Sequence, residues 1–94
     1  MEIQGFKPSQ EMTFKTVQTD CKRLSKYCAD NKEAFLSLDL SDVIHCDSAG
    51  LALLIEAKRL SKERNKPCRI EGMPKAVYAL AAFCGVDAML NSGQ

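Results

Sequence analysis

The segment 34–40 alternates apolar and polar side chains, and this pattern constrains the fold more than any other feature of the chain. Leu36, Leu38 and Leu40 alternate with Ser37 and Asp39. A period of two is typical of a β-strand, and the high apolar content favours a position inside a sheet. From residue 49 to about residue 65 the apolar residues instead recur at steps of three and four, which predicts a helix. Residues 41–48 between them are predicted to be a loop, with Val43 and Ile44 as apolar anchors.

The N-terminal part of the chain is predicted to form one strand and one helix. Residues 2–6 have a short strand pattern that Gly5 interrupts. A helical pattern starts near residue 11 and ends at Asp30 and Asn31. Steps of three and four place the apolar residues of this helix on one stripe, which faces the core. The stripe consists of Phe14, Val17, Cys21, Leu24 and Cys28.

The C-terminal part continues the alternation of strand and helix. Residues 68–72 are the third predicted strand, and Pro74 opens a helix at its first position, where a missing N–H costs little. Gly85 suits the C-terminal cap of that helix, and residues 86–90 add a final turn or an edge strand before a frayed tail. This order predicts a single α/β domain over residues 1–94, with a small, mostly parallel sheet joined by right-handed crossovers.

The composition excludes several classes of function. Thirteen Lys and Arg face twelve Asp and Glu, and a net charge of +1 supplies no long-range attraction for nucleic acid or anionic lipid. No apolar stretch approaches the roughly 18–20 residues that cross a bilayer, and the N-terminus lacks a secretory signal, so we expect a cytoplasmic protein. The five cysteines include no CxxC pair. Four of them are therefore expected to pack against the core without binding metal: Cys21, Cys28, Cys68 and Cys84.

No catalytic constellation is apparent in the sequence. His45 is the only histidine, and adjacent side chains in an extended loop point apart, so a couple with Cys46 is not expected. A metal site at His45, Cys46 and Asp47 lacks further ligands at a suitable spacing. The run DSAGLA, residues 47–52, matches neither of the glycine-rich patterns that bind phosphate. We therefore expect no enzymatic activity, no cofactor and no metal.

Residues 47–50 stand where the second helix must begin. Asp47 or Ser48 can accept hydrogen bonds from the first-turn N–H groups, which makes either one a candidate N-cap. Gly50 is unexpected, because glycine lowers helix propensity by about 1 kcal/mol relative to alanine. Close approach of another backbone segment, or of a partner, would account for it. Phosphorylation of a hydroxyl here would place about two negative charges at the positive end of the helix dipole.

The stretch FLSLDLSDVIHCDSAGLALLIEAKRLSKERNKPCRIEG, residues 35–72, resembles the STAS domain family, named for sulfate transporters and anti-sigma factor antagonists. The resemblance rests on a central strand, the pattern D-S-x-G-L at the start of the next helix, and the short strand that follows. It extends over roughly residues 34–90. It implies a STAS-like fold whose N-terminal strand region is shortened, because only about five residues are available for it.

Two branches of that family imply different functions. The small STAS subunit of Mla phospholipid transporters binds the ABC ATPase subunit in the cytosol and supports its assembly and activity. Both DSAGLALL and KAVYALAAFCGVDAML, residues 47–54 and 75–90, resemble that branch, which we favour. In anti-sigma factor antagonists the Ser of the motif, here Ser48, is phosphorylated by a partner kinase that is also the anti-sigma factor. Ser48 replaces the Thr more familiar in the Mla branch and keeps this second reading open.

The resemblance implies a partner-binding surface at the start of the second helix. Its expected residues are Asp47, Ser48, Ala49, Gly50 and Leu51. Ser48 is also the candidate phosphorylation site, and Leu51 or Leu53, if directed outward, would supply apolar contact area. The implied partner is the transporter ATPase or, in the alternative, the anti-sigma factor kinase. Contact with the inner membrane is expected only through the transporter.

Overall fold

The computed structural model describes residues 5–91 of the chain. This part contains four helices and four short strands, and the strands form two parallel pairs. In chain order they are β1 (Glu11–Met12), α1 (Val17–Asp30), β2 (Leu36–Asp39), β3 (His45–Cys46), α2 (Ser48–Glu63), β4 (Cys68–Glu71), α3 (Lys75–Phe83) and α4 (Asp87–Asn91). The predicted α/β class with parallel strands is confirmed.

The strand β2 lies between two parallel neighbours. Its four residues pair in register with the four residues of β4. On its other edge Phe6 forms a parallel bridge to Leu38. The Phe6 N–H donates to the Ser37 carbonyl at 2.8 Å, and the Asp39 N–H donates to the Phe6 carbonyl at 2.9 Å. β2 is therefore the interior strand that its apolar content predicted, and the three alternating leucines of segment 36–40 are fully buried.

The second pair of strands corrects the predictions for the segments before α1 and before α2. β1 and β3 pair in parallel over two residues each, so the predicted loop 41–48 contains a strand. The first helix begins at Val17 and not near residue 11. The N–H groups of Thr16 and Val17 both donate to the Thr13 carbonyl at 2.9 Å, which forms a turn between β1 and α1. Pairing with a distant strand outweighs the helical periodicity of residues 11–16.

Two apolar side chains that the sequence placed in the core are exposed. Phe14 is 70% exposed, so it does not belong to the stripe of α1, whereas Leu24 and Cys28 of that stripe are buried. Ile44 is 63% exposed, and of the two expected anchors only Val43 is buried in the core. Both exposed residues lie next to the β1–β3 pair. The backbone hydrogen bonds of this pair set the direction of their side chains, and a helical repeat does not.

The C-terminal elements agree with the prediction to within about two residues. The predicted strand 68–72 is β4, and the predicted final turn is α4. Pro74 directly precedes α3, and Gly85 has a φ of 77°, the left-handed conformation expected of a glycine after a helix. Residues 2–4 of the first predicted strand and residues 92–94 of the predicted frayed tail lie outside the described residues.

The cysteines are all free, and their burial differs from the prediction at one position. Cys28 and Cys68 are buried and Cys21 is half-buried, as expected for residues that pack against the core. Cys84 is exposed, because it follows the last residue of α3. Burial raises the pKa of the Cys28 and Cys68 thiols, which therefore stay protonated at neutral pH.

A buried carboxylate ties the N-terminal segment to α1. Asp20 has no exposed surface, and its oxygens accept hydrogen bonds from the N–H and the hydroxyl of Ser9 at 2.9 and 2.8 Å. Arg23 donates to the same carboxylate at 2.9 Å and to the Lys7 carbonyl at 2.7 Å. Its guanidinium also lies 5.0 Å from the centre of the Phe6 ring. One acidic side chain thus holds segment 6–9 against the helix.

We expect Asp20→Ala to lower the free energy of unfolding by about 3 kcal/mol, because Ser9 and Arg23 lose a buried partner. Urea unfolding followed by circular dichroism measures the change. Asp30→Ala is the matched control on the same helix, where an exposed carboxylate pairs with Lys26 at 3.0 Å. Its expected effect is below about 0.5 kcal/mol. Equal losses in the two variants would contradict the structural role of Asp20.

Candidate functional site

Asp47 is the residue that caps α2. Its backbone is extended, with φ −116° and ψ −170°, and its Oδ1 accepts a hydrogen bond from the Gly50 N–H at 3.1 Å. Its Oδ2 accepts a hydrogen bond from the Phe14 N–H, also at 3.1 Å. The Asp47 N–H donates to the Met12 carbonyl at 3.3 Å. Of the two candidate caps the structure therefore selects Asp47, whose carboxylate also joins α2 to the turn before α1.

Backbone N–H groups keep the Asp47 carboxylate ionised. Burial raises the pKa of Asp47, but hydrogen bonds from the N–H groups of Phe14, Gly50 and Ala49 together lower it by more, so the pKa lies below its ordinary value. A depressed folded-state pKa means that the interaction stabilises the protein above the unfolded-state pKa. That stabilisation is lost as the pH falls through the folded-state pKa. At neutral pH a negative charge is therefore fixed beside Ser48.

Gly50 lets the first turn of α2 touch the backbone of β1. It is buried, and a Cβ atom placed on it would lie 2.0 Å from the Met12 carbonyl oxygen and 2.9 Å from the Cys46 Sγ. Real side chains do not come so close to a carbonyl oxygen, so only glycine fits here. Of the two explanations that the sequence left open for this glycine, the structure supports the approach of a neighbouring backbone.

The five expected site residues divide into an outer and an inner group. The outer group, which reaches the surface, is Asp47, Ser48 and Ala49. Gly50 is buried, and Leu51 is only 3% exposed. Leu53 is 2% exposed, so neither leucine is directed outward, and the condition for their apolar contact with a partner is not met. Both leucines belong to a broad buried face of α2 and contribute to the core, where a partner cannot reach them.

An exposed aromatic ring lies beside the outer group. The Phe14 N–H is held by Asp47, while its side chain is 70% exposed. A shallow cavity of about 350 Å³ adjoins the ring and is lined by β3, by residues of segment 11–15 and by Asp47. The helical spacing of Phe14 had hidden this position in the sequence. Thr13 and Thr16 were the available signal, since Thr side chains often form turns and caps next to helices instead of lying inside them.

The neighbours His45 and Cys46 do not form a catalytic couple. His45 is exposed, whereas Cys46 is half-buried and its Sγ lies 3.4 Å from the Asp47 carbonyl. Burial, reinforced by the charge of Asp47, raises the pKa of the Cys46 thiol to about 11, so it is not a nucleophile at neutral pH. Within residues 5–91, no three His, Cys, Asp or Glu side chains come close enough together to hold a metal ion. The arrangement offers a hydroxyl, a carboxylate and a ring for contact with another molecule.

These features define a small α/β domain whose candidate site is a binding surface at a helix N-terminus. A comparison with protein-family models matches residues 16–91 to the model described as Mlab, STAS domain. The match covers most of the chain, and the chain therefore belongs to the STAS domain family, which confirms the resemblance seen in the sequence. This family is generally non-enzymatic, with accessory or regulatory roles. A comparison with curated proteins gave no match.

We expect Gly50→Ala to lower the free energy of unfolding by about 2–4 kcal/mol, because the added methyl group must displace the Met12 carbonyl. In an ordinary helix interior the same change stabilises by roughly 0.5–1 kcal/mol, so the sign of the effect is informative. Thermal and urea unfolding both measure it.

The control is Ala52→Gly, at an exposed position of the same helix, where ordinary helix propensity predicts a loss of about 1 kcal/mol. A Gly50→Ala variant as stable as the wild type, or more stable, would show that the first turn of α2 has room for a side chain.

Proposed function

We propose that the chain is a non-catalytic STAS subunit that binds the ATPase of an Mla-type phospholipid ABC transporter. In this role it supports the assembly or activity of a transporter that maintains lipid asymmetry. The proposal rests on one observation: Ser48 is exposed at the start of α2. Contacts within the chain, made by Asp47 and Gly50, hold this helix start in place. The description of the matching family model and the resemblance of DSAGLALL to the Mla branch favour this function over others in the family.

The proposed contact surface consists of Asp47, Ser48 and Ala49 together with the ring of Phe14. Ser48 and Ala49 are small, so the backbone of a partner can approach the helix start closely. Phe14 supplies the apolar contact area, because Leu51 is buried and cannot do so. Aromatic side chains are frequent anchors of protein interfaces. Gly50 and Leu51 act from inside, because they fix the position of the surface without touching the partner.

Membrane association in this proposal comes from the partner. No helix within residues 5–91 is both long and apolar enough to cross a bilayer. The ATPase subunit of an ABC transporter is bound to its permease, so a subunit that binds the ATPase is held at the inner face of the membrane. The proposal therefore needs no lipid contact by this chain.

We expect Ser48→Arg to abolish co-purification with the cognate ATPase subunit, because a long cationic side chain separates the helix start from the partner backbone. The side chain is exposed, so the fold is retained. Co-expression with a tagged ATPase subunit, followed by affinity purification, measures the loss. Phe14→Ala is expected to weaken binding about tenfold, as for an interface anchor.

The control for this experiment is Ser25→Arg, which makes the same change at an exposed serine of α1. Its co-purification should equal that of the wild type. If Ser48→Arg co-purifies as well as Ser25→Arg, the start of α2 is not the binding surface. If the wild-type chain also fails to co-purify with the ATPase subunit, the transporter function itself is rejected.

A second function, from a different class, is that of an anti-sigma factor antagonist switched by phosphorylation of Ser48. The observation that favours it is that Asp47, and not Ser48, caps α2, while Ser48 is exposed. A phosphate on the first residue of α2 would be stabilised by the positive end of the helix dipole. The ionised carboxylate of Asp47 would oppose it, and the surface would change its charge by about two units without a change of fold.

Under this alternative, we expect wild-type protein incubated with ATP and the cognate anti-sigma factor kinase to gain the mass of one phosphate group. Intact-mass spectrometry measures the gain. Ser25→Ala should be modified like the wild type, and Ser48→Ala should not be modified. An unmodified wild type, or a Ser48→Ala variant modified to the same extent, rejects the switch.

A further inference from the structure

The outward side of α3 carries an apolar surface that is separate from the residues around Ser48. We call it the α3 outer face, and it consists of Ala76, Ala79, Ala82 and Phe83, all of them exposed. Val77 and Ala81 on the opposite side are buried in the core. Phe83 is 90% exposed, and residues 76–86 include no charged side chain. Apart from the hydroxyl of Tyr78, which is 46% exposed, the helix after Lys75 is therefore apolar on its inner side and on its outer side.

The helix α1, which also has a side exposed to solvent, has a different pattern. Exposed positions of α1 carry Lys22, Arg23 and Lys26, so that helix is amphipathic in the usual sense. Helices that are apolar all round are typically covered on both sides. A contiguous apolar patch on a domain of otherwise mixed charge marks an interaction surface. The α3 outer face is such a patch.

The sizes of its side chains make the α3 outer face complementary to itself. Phe83 stands at the C-terminal end of the face and Ala76 at the N-terminal end, seven residues or about 10.5 Å apart along the helix axis. When two copies of α3 pack antiparallel, each Phe83 ring covers the Ala76 methyl group of the other copy. Ala79 then lies at the crossing point, where its short side chain permits the two backbones to approach closely.

The charges at the two ends of α3 support the same arrangement. Lys75 begins the helix and is exposed, while the C-terminal end carries the negative end of the helix dipole and is followed by Asp87. Antiparallel packing places each Lys75 near the C-terminal end of the other α3, so unlike charges meet. An anionic lipid surface fits less well, because Lys75 is the one cationic residue of α3.

We propose that the α3 outer face is an interface between two copies of this chain, related by a two-fold axis and with the α3 helices antiparallel. The helix has nine residues and is about 13.5 Å long. A contact of that length covers less than the roughly 800 Å² per partner of a standard stable interface. We therefore expect the dimer to be weak and reversible.

Sedimentation equilibrium of the full chain tests the proposal, over concentrations from about 1 μM to 1 mM, the range in which weak complexes form and dissociate. A reductant excludes disulfides through the exposed Cys84. We expect the mass of the wild type to rise with concentration towards that of two copies. Phe83→Asp and Ala79→Arg should each raise the Kd more than tenfold. Both positions are exposed, and circular dichroism verifies that the variants keep the fold.

Phe14→Asp is the matched control, because it introduces the same charge at another highly exposed phenylalanine outside α3. It should dimerise like the wild type. A wild type that stays monomeric throughout the concentration range, or a Phe83→Asp variant that dimerises equally well, overturns the proposal. A monomeric wild type whose Phe83→Asp variant no longer co-purifies with the ATPase also overturns it and assigns the face to that partner.

Discussion

The contact between Gly50 and the Met12 carbonyl is the constraint on which the rest of the site depends. Because any side chain at residue 50 would displace that carbonyl, the first turn of α2 rests directly on β1, which is itself paired with β3. This position brings the Asp47 carboxylate within hydrogen-bond distance of the Phe14 N–H as well as of its own helix. The helix start is thus fixed from inside the chain, and Ser48 is left on the outside.

The sequence predicted the elements that local repeats encode, namely β2, α2 and the end of α3. It missed β1 and β3, because each has two residues and exists through pairing with a distant segment. At the site, the propensity cost of Gly50 indicated a close contact but did not identify Met12. Phe14 was misplaced because its spacing from Val17 fits a helical stripe. Asp20 lies three residues after Val17 and four before Leu24, on the same side of the helix, but only the folded chain shows the partners that bury it.

The two proposed interaction surfaces differ in chemistry. The surface at the start of α2 combines a hydroxyl, an ionised carboxylate and a single ring, which suits a polar and specific contact with a different protein. The α3 outer face is apolar and small, which suits a weak contact with a second copy. α3 also packs against β3, the strand that leads into Asp47, so the two surfaces rest on a common support.

Amide hydrogen exchange at Gly50, followed by NMR, tests the central claim most directly. First-turn amides of a helix lack intrahelical partners and usually exchange fast. If the start of α2 is held by the Asp47 cap and by the contact with Met12, the Gly50 amide exchanges as slowly as that of Leu54 in the helix interior. Exchange of the Gly50 amide at the rate of an unprotected loop amide would show that the helix start is not fixed, and would contradict the account.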